Sequence, residues 1–435
     1  MSTALLTDHY ELTMLDAARQ SGRASRRSLF EVFSRRLPSG RRYGVVAGTA
    51  RVLDAIAQFR FGDDESRFLR DRKIVSAETL RWLESYEFRG DIRGYAEGEI
   101  YFPHSPLLQI EARFDEAVLL ETVILSILNH DCAVAAAASR MVGVAANRPL
   151  IEMGSRRTAE HSAWAAARAA YVAGFSATSN LEAGRLFGIP TLGTAAHAFT
   201  LLHDSEEEAF AAQVDALGIG TTLLVDTYDI DRGVESAIRV AGTELGGVRI
   251  DSGDLPLVAA RVREKLDALG ARSTRIVVTS DLDEYTIAAL QASPVSAYGV
   301  GTSVVTGSGK PAAGLVYKLV ARTSDEGEWV SVQKTSAGKT NVGGRKSAVR
   351  VLSDGIAREE AISHDVEAEL PDGRPLMVSL MEEGQRTDSA SPSDAVETAR
   401  VHHRAAISEL PLEAFRLAAG DPALPTVFYP KASTL

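Results

Sequence analysis

Between Pro149 and Val304 the chain repeats one arrangement: a short apolar run, then a cluster of small, polar or charged residues, then a helix-forming stretch. The runs are PLIEM, GFSAT, IPTLG, TTLLVDTYD, GVRIDSGDL, RIVVTSDL and AYGVGT. Apolar runs this brief, bounded by Gly, Pro or helix-start residues, read as buried strands. Strands separated by helices pair in parallel, because a crossover returns the chain to the same end of the sheet. The expected fold class is therefore α/β. Its core is an irregular (β/α) barrel across 115–310, with a mixed α/β domain at 1–114 before it. The C-terminal segment 311–435, β-rich and then helical, is expected to complete both. Parallel strands carry their polar tips to one rim, where α/β barrels place their chemistry.

The tips are rich in anion-binding and acid–base groups. Gly154-Ser155-Arg156-Arg157 follows the first run, Ser179-Asn180 the second, and Gly193-Thr194 the third, with His197 three residues on. Later runs end in Asp226-Thr227-Tyr228, in Arg249 with Asp251-Ser252-Gly253-Asp254, in Thr279-Ser280-Asp281, and in Gly299, Gly301 and Thr302. A histidine in the first turn of a helix is most simply a packed side chain. His197, however, lies just past a Gly-Thr pair at a helix N-terminus, where free amides favour an anion. A neutral imidazole there can accept and release a phosphoryl group. Arg249 offers a fork for phosphate or carboxylate.

The segments EMGSRRT, ATSNLEAG and GTAAHAF, with TDHYELTM at the start, together resemble the nicotinate phosphoribosyltransferases, type II phosphoribosyltransferases. The resemblance runs from Thr7 to about Lys318. It implies nicotinate, 5-phosphoribosyl 1-pyrophosphate and ATP as substrates, with ATP phosphorylating His197. It places Tyr10, Met153, Arg156, Asn180 and Thr194 around nicotinate, Tyr10 reaching across the interface of a homodimer with shared sites. Arg157, Arg249, Asp251, Ser252, Gly253, Asp281, Gly299, Gly301 and Thr302 would hold the phosphoribosyl donor. His197, Arg249 and Asp251 would be catalytic. Mg2+ would be held mainly by pyrophosphate, with no protein ligand directly assigned. Nicotinamide-specific relatives carry aspartate where this chain has Asn180, and many relatives carry phenylalanine where it has Met153. The alternatives are a nicotinamide or quinolinate phosphoribosyltransferase, or a barrel that binds phosphoribosyl groups without catalysis.

Outside the barrel, Thr7 is the expected cap of the first helix, and Leu29–Phe33 and Tyr43–Val46 read as strands joined by a basic turn carrying Arg35, Arg36, Arg41 and Arg42. Residues 115–143 form the longest helical pattern; its Asn129, His130 and Asp131 point in different directions, which suits capping or an interface better than metal binding. Lys339, Arg345 and Lys346 are candidates to meet the ATP triphosphate. Residues 382–397 read as an acidic linker before a final helix at 402–410. No Walker-type loop is present.

With 435 residues, 45% of them hydrophobic, the chain can bury a large core. A formal charge of −11 argues against general nucleic-acid binding. A single cysteine, Cys132, excludes an internal disulfide. No uninterrupted apolar run reaches the ~18 residues of a membrane span. The expected setting is the cytoplasm, without membrane partners.

Overall fold

A computed structural model describes residues 2–333, 342–364 and 368–429. The chain forms two compact units, one from Met1–Ala136 with Ala312–Leu435, the other from Ala137–Pro311. The first division falls at 136/137, inside the long helix Glu121–Val144, and not ahead of it at 114/115.

The first unit is built on an antiparallel seven-stranded sheet. Its order is Trp329–Ser331, Leu315–Thr323, Arg27–Ser34, Leu108–Arg113, Asp91–Tyr95, Met377–Glu382, Gln385–Arg386. Alternation along the strands sends Phe30, Val32, Ile92, Leu108 and Ile110 into one buried core, together with Val118–Leu120 and Leu128 of the long helical region. That helical region is long and apolar enough to cross a membrane by composition alone, but much of it is buried inside the protein. The basic turn does not close a hairpin: Arg27–Ser34 pairs with Leu108–Arg113 and Leu315–Thr323, while Gly44–Val45 pairs with Ile100–Tyr101. Local spacing cannot reveal a pairing between segments so far apart in the chain.

Two other expectations fail for identifiable reasons. The first helix, His9–Gln20, is preceded by Asp8 as N-cap, and the Thr7 hydroxyl instead donates to Glu11. The expected linker 382–397 contains the first six residues of a helix, Pro392–Ser408, which starts ahead of the expected 402. Ser391 accepts from the Asp394 amide, and Pro392 supplies the fixed φ that a helix start tolerates. Asn129 is used structurally, its amide exchanging hydrogen bonds with the Leu315 backbone at 2.8 and 3.2 Å.

The second unit carries a six-stranded parallel sheet. Its order is Ala177–Thr178, Leu150–Glu152, Ala297–Val300, Arg275–Val278, Gly247–Ile250, Thr222–Leu224. Six of the seven runs are thus strands. The seventh contributes only a parallel bridge between Thr191 and Thr178. Among the described residues the sheet order has two ends. The helices Glu160–Val172, Ile230–Ala241, Leu255–Ala268 and Glu284–Ala289 fall between strands, as the alternation required.

Candidate active site

The carboxyl ends of the parallel strands bring the tip residues of the second unit into one connected set of contacts. Asp226, just beyond Thr222–Leu224, has a side chain only 1% exposed. Its Oδ2 accepts from the Asp251 amide at 2.8 Å and from the Ser252 hydroxyl at 2.7 Å. Its Oδ1 has no hydrogen-bond partner among the described residues and lies 3.9 Å from Nε2 of His197. The other ring nitrogen, Nδ1, is 3.1 Å from the Thr227 hydroxyl. The imidazole therefore sits between a carboxylate and a hydroxyl, its side chain 43% exposed at the first position of the helix His197–Leu202.

Arg249 extends from the neighbouring strand. Its Nε donates to the Thr279 hydroxyl at 2.9 Å and one terminal nitrogen donates to the Thr194 hydroxyl at 3.2 Å. The other terminal nitrogen stands 3.6 Å from Asp251, whose carboxylate also receives the Thr279 hydroxyl. The DSGD turn is shaped by Gly253 at φ +90°, and Asp254 caps the following helix by accepting from the Leu257 amide. Asp281 is exposed beside Ser280, which holds φ +109°. Such an angle is costly for a residue with a Cβ, and strained backbone of this kind gathers at functional sites.

The remaining tips close the group. The Thr178 hydroxyl and the Gly154 amide both bind Glu152, a buried carboxyl whose pKa burial raises. Asn180 caps the helix Leu181–Phe187 by accepting from the Ala183 amide at 2.9 Å, and it donates to the Ser155 hydroxyl at 3.0 Å. Both ends of its amide are thus engaged. Gly154 is packed against Val305 and the Gly301 carbonyl, leaving no room for a Cβ, so the Ser155–Arg157 turn lies beside Gly301 and Thr302. Arg156 and Arg157 are exposed and make no side-chain ion pair or hydrogen bond among the described residues. Gly299 is buried in its strand, and a Cβ there would meet Thr279 and the Met153 sulfur. Its missing side chain makes room for Met153.

Tyr10 belongs to the first unit, on the helix His9–Gln20, 44% exposed. Burial and the neighbouring carboxylates, Glu121 foremost, push its phenol up to about 12. Lys346 is unavailable to a triphosphate: it is buried, with Nζ 2.7 and 2.8 Å from the Glu31 oxygens. Arg345 is paired with Glu111, a carboxylate it shares with Arg27. Lys339 lies outside the described residues.

Reading the sequence placed Asp226, Thr227 and Thr279 at strand tips without giving them a role, and it overlooked Glu152, which ends a strand at the same rim. It also passed over Glu206, at the start of the helix Glu206–Leu217, which no strand tip marks. Burial, with help from Asp226 and Asp229, pushes the Glu206 carboxyl up to about 7. Among the described residues, no group of three or more His, Cys, Asp or Glu side chains has the geometry to hold a metal by itself.

Comparison with known proteins gives consistent results. Residues 5–129 match the model of the nicotinate phosphoribosyltransferase N-terminal domain. The chain is 53% identical over 440 aligned residues to nicotinate phosphoribosyltransferase pncB1 of Mycobacterium tuberculosis, covering 97% of this chain and 94% of that one. It is 37% identical to the nicotinate phosphoribosyltransferase of Bacillus subtilis, covering 81% and 74%. The crystal structure of human nicotinic acid phosphoribosyltransferase superposes with a TM-score of 0.82 at 25% identity, covering 97% of both chains.

Proposed function

The chain belongs to the nicotinate phosphoribosyltransferase family, and we propose that the strand-tip cluster of its second unit is where nicotinate, the phosphoribosyl donor and ATP react. The enzyme transfers the 5-phosphoribosyl group of 5-phosphoribosyl 1-pyrophosphate to nicotinate, giving nicotinate mononucleotide and pyrophosphate for NAD synthesis. The observation that carries the site assignment is the run of contacts joining Thr194, Arg249, Thr279, Asp251, Asp226 and His197, residues from three strands and from the segment after the Thr191 bridge.

In this reaction the bond from ribose C1 to pyrophosphate breaks as the pyridine nitrogen attacks from the opposite face. Positive charge grows on the sugar and negative charge on the leaving group, so the protein must orient both partners and stabilise the charge. Arg249, held by two hydroxyls, presents its guanidinium without reorganising. Asp251 accepts from ribose hydroxyls. Arg156 and Arg157, with no partner of their own, supply positive charge to the nicotinate carboxylate and the phosphates, and the Gly301–Thr302 turn offers amides to the 5-phosphate. The pyridine nitrogen is itself the nucleophile, so no general base is required. The buried, unpartnered Oδ1 of Asp226 is a suitable anionic contact for Mg2+ that keeps its waters and phosphate oxygens. When bound, Mg2+ offsets the charge of the leaving pyrophosphate.

ATP couples through His197. The imidazole, held between the Asp226 carboxylate and the Thr227 hydroxyl, offers a ring-nitrogen lone pair as nucleophile. Attack on the γ-phosphorus forms the N–P bond and releases ADP; hydrolysis after product formation returns the imidazole and phosphate. We read the parallel sheet, with the Thr191 bridge as a seventh stave, as the wall of an irregular barrel. The exposed Tyr10 is read as completing the nicotinate slot of a second copy in a cytoplasmic homodimer. Assay with nicotinate, the donor and Mg2+, with and without ATP, tests the scheme. His197→Ala should abolish ATP turnover and leave slow ribosyl transfer; undiminished ATP hydrolysis by that variant would end the coupling model.

A further inference from the structure

The seven-stranded sheet of the first unit has an outer face opposite its apolar core, and this face bears a polar groove of about 830 Å3. Its floor is a cross-strand row set by the pairings Glu31 with Gln109, Gln109 with Arg93, and Arg93 with Ser379. Lys346 closes one end of the row by binding both Glu31 oxygens, and Gln109 donates to Glu31 at 3.2 Å. That leaves the Gln109 carbonyl oxygen buried without a donor, in a residue 1% exposed that lines the groove.

The groove is lined by Asp91, Glu111, Glu382 and Glu383 and by Arg93, Arg345 and Arg386, of which Arg386 is paired with Asp54 and Asp388. Glu111 is shared by Arg27 and Arg345. The carboxylates at the rim have internal donors: Asp91 accepts from the Glu383 amide at 2.8 Å and Glu382 from the Ser379 hydroxyl at 2.8 Å. Arg93 makes no ion pair or hydrogen bond through its side chain among the described residues, although it is partly buried. Arg93 and Arg345 line the same groove, and after burial itself Arg93 and then Arg27 are what lower the Arg345 pKa. Two guanidinium groups lining one groove, one of them without a carboxylate partner, together with an amide oxygen lacking a donor, form a surface that is incomplete alone.

We propose that this groove binds a sugar phosphate, its phosphate held by Arg93 and Arg345 and a neighbouring hydroxyl donating to the Gln109 carbonyl. A phosphate accepts two guanidinium forks at once. The sugar hydroxyls meet the remaining need, since the rim carboxylates can only accept. A groove of this volume holds a small metabolite. Every residue named lies in the first unit, so the site is independent of the strand-tip cluster and does not rest on the function proposed for it.

The test compares full-length Arg249→Ala, in which the strand-tip site is impaired, with the double variant carrying Arg93→Gln as well. Calorimetric titration with ribose 5-phosphate should give one site per chain in the first protein and at least tenfold weaker binding in the second. The emission of Trp329, whose ring centroid is 5.9 Å from the Arg345 guanidinium, should respond only in the first. Because Arg93 has no partner to lose, Arg93→Gln should fold with an unchanged or higher Tm. Arg345→Gln gives a second, separate removal if it does not. Equal affinity in both proteins would overturn the proposal. So would inorganic phosphate binding as tightly as the sugar phosphate, which would mean an adventitious ion only.

Discussion

Arg249 is fixed by the hydroxyls of Thr194 and Thr279, so its worth to the reaction lies in a planar fork already aimed before substrate arrives. Lysine keeps the charge and loses that geometry. Arg249→Lys should lower kcat/KM about a hundredfold, roughly 2.7 kcal/mol of transition-state stabilisation, with an unchanged urea midpoint. Loss of less than threefold would show that charge alone suffices. Asn180 poses a different question, because its amide is consumed by the Ala183 cap and the Ser155 hydroxyl. Aspartate would preserve the cap and add a negative charge near an anionic substrate. Asn180→Asp should therefore raise the KM for nicotinate about tenfold while leaving nicotinamide binding equal or better, read from initial rates with both. Asn180 and His197 were legible as candidates because each stands at the end of a recognisable run. Asp226, Thr227 and Thr279 stand at equivalent places. Their importance comes from what they touch, and a hydroxyl or carboxylate in a strand-end cluster carries no local mark of its partner.

Helices show a similar division between what neighbours in sequence decide and what packing decides. The final helix begins at Pro392 because Ser391 and Asp394 supply a cap that outweighs the acidic, polar look of the segment. Ser391→Ala should cost about 1 kcal/mol in urea unfolding. The same helix is seated by Gly98, which holds φ +95° and whose Cβ would strike the Ala399 carbonyl and the His403 amide. Gly98→Ala combines backbone strain with a backbone collision and should destabilise the protein by about 2–4 kcal/mol. A loss under 0.5 kcal/mol would mean the helix is free to shift. At the other end of the chain, the helix His9–Gln20 is tied down by Glu11, which accepts from the Thr122 amide and hydroxyl and from Thr7. Burial pushes this carboxyl up from 4.5 to about 7. The folded protein thus binds a proton more tightly than the unfolded chain, so the group's contribution is fully present below about 4.5 and is lost as pH rises through about 7. Stability measured between those pH values should fall more steeply in the native protein than in Glu11→Gln.

Both chain ends contribute to the first unit, with residues 137–311 inserted between them. The buried pair Glu31 and Lys346 joins the two parts across a separation of 315 residues. Lys346→Ala would leave a carboxylate uncompensated in the core and should cost about 3–5 kcal/mol, while Glu31→Leu with Lys346→Met should recover most of that stability in urea unfolding. Equal losses in the two variants would show that the charge pairing is not what matters there. By itself the sequence determined the alternation of strands and helices and the residue types at the rim, because short apolar runs and their polar ends are local patterns, and its motifs EMGSRRT, ATSNLEAG and GTAAHAF carried the resemblance that implied the family and its reaction. Only the tertiary structure decided that both ends of the chain share one sheet, that Lys346 belongs to Glu31, that Gly299 makes way for Met153, and that Asp226 faces His197. Each of these is a contact between residues distant in the chain, fixed by packing and burial, which local periodicity does not encode.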